Sequence, residues 1–132
     1  IRTPEDAARL LRDDVRALEK EVFWTLLLDA KNQLKGRPAE ITCGLLDASL
    51  VHPREVFQEA IRLGAAAVVL AHNHPSGEPT PSAEDVRITK QLVEAGRIVD
   101  IKVMDHVVLG KPAALGLPDF VSMREQGLVS FG

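Results

Sequence analysis

The sequence predicts an α/β domain, a mixed β-sheet flanked by helices, and three observations carry that prediction. Helical and extended hydrophobic patterns alternate along the chain. One run, Ala66-Ala67-Val68-Val69-Leu70-Ala71, is apolar at every position, as a strand covered on both faces must be. Capping and breaking residues stand where one pattern gives way to the next.

Taken in order, Thr3-Pro4-Glu5-Asp6 opens a helix. Threonine can cap, proline suits the first turn, and the acids complement the dipole. Ala7, Leu11, Val15, Leu18 and Val22 then recur at helical spacing. Val22–Leu28 reads as a strand, Asp29–Asn32 as a turn, and roughly Gln33–Leu46 as a second strand disturbed by Gly36 and Pro38. A helix begins at His52-Pro53-Arg54-Glu55. Its apolar face is Val56, Phe57, Ala60, Ile61 and Leu63, and Gly64 ends it. After the apolar strand at 66–71 comes a turn-rich loop, His72 to Pro81. The next helix is expected from Ser82 to Ala95, stopped by Gly96. Val99, Ile101 and Val103 alternate with polar residues as a half-buried strand, and His106–Leu109 reads as one more. A last helix is expected near Ser122–Gln126.

The bulk numbers narrow the function. A chain of 132 residues suits one domain, with 45% hydrophobic and 27% charged residues, an ordinary globular balance. Net charge is −3 and no basic stripe occurs, so a phosphate backbone finds no footprint; 4% aromatics argues against base stacking. The single cysteine, Cys43, excludes an internal disulfide and a cysteine-rich zinc module, and is expected to be a small core residue. A reducing cytosol, hence a cytoplasmic location, fits this best. No apolar run is long enough to span a membrane. The chain starts at Ile1 with no leader, which reads as a fragment of a longer protein.

Chemistry concentrates after the apolar strand. His72 and His74 are expected just past its end, where ligands collect in α/β sheets. Residues two apart in extended backbone point the same way, so both imidazoles can grip one ion. Asp85 shares a helical face with Ile88, Leu92 and Ala95, so it must turn inward with them. A buried lone carboxylate is costly unless paired or metal-bound. Two histidines and a carboxylate leave a fourth position on zinc for water, the arrangement of a catalytic site. The general base is open at this point among seven acids: Glu19, Glu21, Asp29, Glu40, Asp47, Glu55 and Glu59. A structural alternative also exists, because Ser82-Ala83-Glu84-Asp85 resembles a capping box with Asp at its end. His52 and His106 stand alone and are expected to be structural.

His72-x-His74, seven residues, then Ser82-x-x-Asp85 matches the JAMM (MPN-plus) metalloprotease motif. The string His72-Asn73-His74-Pro75-Ser76-Gly77 with Pro79, Pro81 and Ser82 is similar to the RadC family within that group, as are Val51–Phe57 and Asp105-His106. The resemblance covers nearly the whole chain, residues 1–132 as one such domain; on that reading this fragment is expected to lack the amino-terminal helix-hairpin-helix region that the family usually carries. It implies the JAMM fold, akin to cytidine deaminases. It also implies a Zn²⁺ held by His72, His74 and Asp85, with Ser82 stabilising an oxyanion. Glu21 would be the general base, with Glu19 the fallback. The implied reaction is cleavage of a peptide or isopeptide bond in an unknown peptide or protein substrate. The alternative is a DNA-repair-associated binding module with little catalysis. An HNH nuclease would scatter its residues over a ββα unit, and a deaminase would need His-x-Glu with Pro-Cys-x-x-Cys; neither pattern occurs.

Overall fold

The computed structural model describes residues 1–44, 51–111 and 118–132, the side chains of 42–44 excepted. Helix α1 spans Pro4–Ala17, strand β1 Glu21–Leu28, β2 Ala39–Gly44, α2 Pro53–Arg62, β3 Ala67–Asn73, α3 Ala83–Val99, β4 Lys102–Leu109 and β5 Phe120–Ser122. The sheet order is β2-β1-β3-β4-β5. β1 runs antiparallel to β2 and β3, β3 and β4 are parallel, and β5 is antiparallel to β4. The α/β class and the mixed sheet are therefore as the sequence predicts.

Alternation along the strands sorts the core into two layers. Val22, Trp24, Leu26 and Leu28 of β1 join Ala67, Val69 and Ala71 of β3 against Ala7, Ala8, Leu11 and Val15 of α1. Phe23, Leu27, Val68 and Leu70 face the other way, onto Val56, Phe57 and Ala60 of α2 and Ile88 and Leu92 of α3. β1 and β3 are thus covered on both faces. Each fully buried leucine there contributes roughly 1.5–3 kcal/mol, which makes the pair a rigid floor. β3, α3 and β4 form a βαβ unit, so the carboxyl end of β3 and the amino end of α3 meet at one edge of the sheet.

Several elements differ from expectation. β3 continues to Asn73, so His72 lies inside the strand and His74 one residue beyond it. The region after the Asp29 turn gives only an isolated bridge at Leu34 before β2 begins at Ala39, because Gly36 takes a left-handed φ of 72° and breaks the extension. α3 runs through Gly96 to Val99 and ends at Asp100, whose φ of 60° is left-handed. Gly96 is a packing residue, not a stop: a Cβ there would lie 2.5 Å from the Ile101 carbonyl oxygen and 3.2 Å from the Phe57 ring. Val99 accordingly belongs to the helix, and the two short strands expected near the end are one, β4. Ile61 points outward and is 61% exposed, off the apolar face of α2. Ser122–Gln126 is not a helix. Ser122 closes β5 by pairing with Val107, and one turn follows, held by Gln126 N donating to Ser122 O at 3.0 Å. Gly64 does end α2 with a φ of 66°. The side chain of Cys43 and the whole of Asp47 lie outside the described residues.

Candidate metal centre

The edge where β3 meets α3 gathers His72, His74 and Asp85. Strand geometry sends the His72 ring to the α3 face of the sheet, where it is 1% exposed. Phe23, its register partner on β1, stacks on it with centroids 5.9 Å apart and planes 8° from parallel. His74 begins the loop and is partly open to solvent. That loop is pinned to the end of β4. His74 N donates to Leu109 O at 2.8 Å, Lys111 N donates to Gly77 O at 3.1 Å, and Gly77 adopts a φ of 95°. Gly110 must be glycine for this approach, since a Cβ would sit 2.1 Å from Gly77 O.

Asp85 is the third residue of α3. Its backbone N–H donates to Ser82 Oγ at 3.0 Å, and Ser82 N–H donates to Asp85 Oδ2 at 2.8 Å, a complete capping box. The helical phase turns it inward as expected, to 9% exposure. His72 Nε2 and His74 Nε2 are 3.1 Å apart; His74 Nε2 is 3.1 Å from Asp85 Oδ2, and His72 Nε2 is 3.3 Å from Asp85 Oδ1. Ligand atoms around a tetrahedral zinc at about 2.0–2.1 Å stand about 3.3 Å from one another. The three residues therefore fit a single ion at the distances present.

Hydrogen bonding outside the triangle says which atoms face it. His74 Nδ1 lies 2.9 Å from the Glu78 carbonyl, which can only accept, so Nδ1 carries a proton and Nε2 is the atom that faces the triangle, donating to Asp85 when protonated and offering a lone pair when not. Asp85 takes a second hydrogen bond from its own cap. Burial pushes the Asp85 carboxyl up, but the bonds from His72 and His74 outweigh it and hold it far below the ordinary carboxylate range. His74 is correspondingly raised, first by its bond to Asp85. Together these directions describe a site that seeks positive charge.

Glu21, the first residue of β1, faces the same edge. Burial raises its carboxyl, opposed by the nearby His72 and His74. Its position is held by a residue that the motif reading passed over. Asn73, 1% exposed, accepts from Val22 N–H at 2.7 Å and donates to Lys20 O at 3.0 Å, clamping both neighbours of Glu21. The signal was available as a polar letter inside a strand buried on both faces. Glu19 is exposed and precedes β1. Ser82 is exposed at the rim; its oxygen accepts from Asp85 N–H, which leaves its own proton free to donate. His52 caps α2 from an exposed position with no side-chain bond. His106 departs from expectation: it is 1% exposed and lies 2.7 Å from His72, not alone. Burial holds it well below the ordinary histidine value, and therefore uncharged.

Among the described residues no helix is long and apolar enough to cross a membrane. A family described as "RadC-like JAB domain" matches residues 1–128. The chain is 48% identical over 129 residues to a UPF0758 protein of Desulforamulus reducens and 49% identical over 129 residues to one of Moorella thermoacetica. It is 49% identical over 127 residues to one of Bacillus cereus. These alignments cover 96–98% of this chain and 53–54% of the relatives, so the chain spans about half the length of the curated relatives it matches.

Proposed function

The chain belongs to the RadC-like JAB domain family, and from that premise we propose that it is a zinc-dependent hydrolase domain of JAMM type, cleaving a peptide or isopeptide bond. One observation carries the reading: two imidazole nitrogens and a carboxylate converge at 3.1–3.3 Å at a sheet edge partly open to solvent. Three such acceptors repel one another unless a cation or a proton lies between them. Nitrogen and oxygen donors in a set of three suit zinc with one position left for a reactant.

His72, His74 and Asp85 would hold the metal. When bound, zinc acidifies a water to a pKa of about 7 and polarises a carbonyl. The remaining work falls to the chain's own residues. Glu21, raised by burial, accepts a proton from the attacking water and returns it to the leaving amine. Ser82 donates its free proton to the oxygen that gains charge in the tetrahedral intermediate. Asn73 keeps Glu21 in reach by fixing the residues on either side of it. Net charge of −3 favours a protein over a nucleic-acid substrate.

Metal analysis of the purified chain beside a His72→Ala/His74→Ala double variant is the first test; equal zinc in both would sink the metal reading. Turnover of Glu21→Gln against peptide and isopeptide substrates is the second. We expect zinc to be retained and turnover to fall by about a hundredfold or more. Unchanged turnover would remove Glu21 as the base. A zinc-loaded chain that cleaves none of the panel would favour a binding module.

A further inference from the structure

His72 Nδ1 is turned away from the ligand triangle and into the core. There it meets His106 Nε2 at 2.7 Å. The other nitrogen of His106, Nδ1, lies 2.5 Å from Thr89 Oγ1, and that hydroxyl lies 2.8 Å from the backbone oxygen of Asp85. A continuous line of hydrogen bonds thus leaves one ligand, His72, crosses from β3 to β4 and then α3, and ends on the backbone of another ligand, Asp85. Thr89 is 0% exposed and His106 and His72 are 1% exposed, so water offers no substitute partner anywhere along it.

Proton counting allows this line two directions. The Asp85 carbonyl can only accept. If Thr89 gives its proton to that oxygen, Oγ1 accepts from His106 Nδ1–H. His106 Nε2 then accepts from His72 Nδ1–H, and His72 Nε2 is left as a bare lone pair facing His74 and Asp85. If Thr89 instead donates to His106 Nδ1, each ring carries its proton on Nε2. His72 then points an N–H at Asp85 and cannot ligate a metal. Both directions hold three protons on neutral groups. Only the first leaves a ligand free, and it leaves no buried donor unpaired because Thr89 has a second acceptor.

We propose that Thr89 and His106 form a buried tautomer relay that presents the Nε2 lone pair of His72 to the metal, with both acting as positioning residues through His72. The relay rests on the metal reading of the site. Phe23 supports it mechanically, stacking on His72 and meeting His106 edge-on with centroids 5.4 Å apart at 79°. The pairing of Leu70 with His106 across β3 and β4 fixes the two rings in register. Outer partners that fix a ligand's tautomer typically govern metal affinity by about ten- to a hundredfold.

The test is zinc affinity by competition with a chromophoric chelator, beside nitrogen NMR of the histidine rings. Thr89→Val keeps the shape and removes the hydroxyl, so the ligating direction would strand His106 Nδ1–H in a dry core. It should weaken zinc binding about ten- to a hundredfold, while Thr89→Ser, which keeps the hydroxyl, restores most of it. In zinc-loaded wild type the His106 proton should be on Nδ1. His106→Phe should weaken binding as Thr89→Val does, and His106→Gln less. Zinc binding by Thr89→Val within twofold of wild type overturns the relay alone, as does a zinc-loaded His106 protonated on Nε2. A wild-type chain that binds no zinc overturns the metal reading, and the relay with it.

Discussion

Two helices in this molecule begin with nearly the same letters: Thr3-Pro4-Glu5-Asp6 on α1 and Ser82-Ala83-Glu84-Asp85 on α3. Both form complete capping boxes, hydroxyl to backbone and carboxylate to backbone. At α1 little is added to the cap beyond an exposed ion pair of Asp6 with Arg9 at 3.8 Å. Asp6 accepts from the backbone N–H groups of Arg2 and Thr3, at 2.8 and 3.0 Å, in solvent, and its carboxyl is lowered mainly by those bonds. At α3 the same carboxylate is buried and faces His72 and His74 as well as its cap. The local motif is one device. The end of β3 meets the first turn of only α3, and sets two imidazoles against its acid. The capping box and the proposed metal role are therefore compatible at Asp85: the cap fixes the carboxylate's position, and the neighbours decide what it can do there.

The sharpest way to break this comparison is to remove each acid. Asp85→Ala should lower zinc affinity by more than about a hundredfold, beyond the effect of losing an outer partner, while Asp6→Ala leaves it unchanged. Chelator competition measures both; equal losses would mean the helices differ less than their surroundings indicate. Removing the hydroxyls comes next. Ser82→Ala should cut turnover about a hundred- to a thousandfold with zinc retained, whereas Thr3→Ala should not touch turnover. If both variants turn over like wild type, Ser82 is only a cap.

Acidity sharpens the contrast further. On the proposed metal reading, zinc displaces the proton that Asp85 favours on His74, whose affinity for it is raised above the ordinary histidine value of 6.5. Zinc affinity should therefore climb with pH until His74 has lost that proton, above the ordinary histidine value, and fall by up to about tenfold per unit at lower pH. Flat affinity between pH 6 and 8 would contradict the coupling. At α1 the sign concerns stability instead. Asp6 is lowered from 3.8, so its contribution is complete above that value and is lost as pH falls through its lower folded-state value. The acid unfolding curve of Asp6→Ala should converge on that of wild type at the lowest pH. The smallest effects are on stability, where Thr3→Ala and metal-free Ser82→Ala should each cost about 1 kcal/mol by denaturant titration, since as caps the two are alike.

The sequence by itself determined the pieces whose physics is local. The cap of α1, the apolar strand at 66–71 and the inward phase of Asp85 follow from periodicity and hydrogen-bonding chemistry within a few residues. The spacing of His72, His74 and Asp85 marked the three residues that the fold brings together. What it could not decide depends on residues far apart in the chain. Gly96 reads as a helix stop in isolation, and only the approach of Ile101 and Phe57 makes it a packing glycine inside α3. His106 reads as a lone structural histidine until β4 pairs in parallel with β3 and brings its ring to His72. Asn73 is the middle letter of a motif until the antiparallel register sets it against Lys20 and Val22. Spacing left Glu21 one of seven acids and only the family resemblance pointed to it, whereas the fold brings the start of β1 to the end of β3. Register and the packing of helices onto both faces are set by the whole sheet at once, and no local window of sequence contains them.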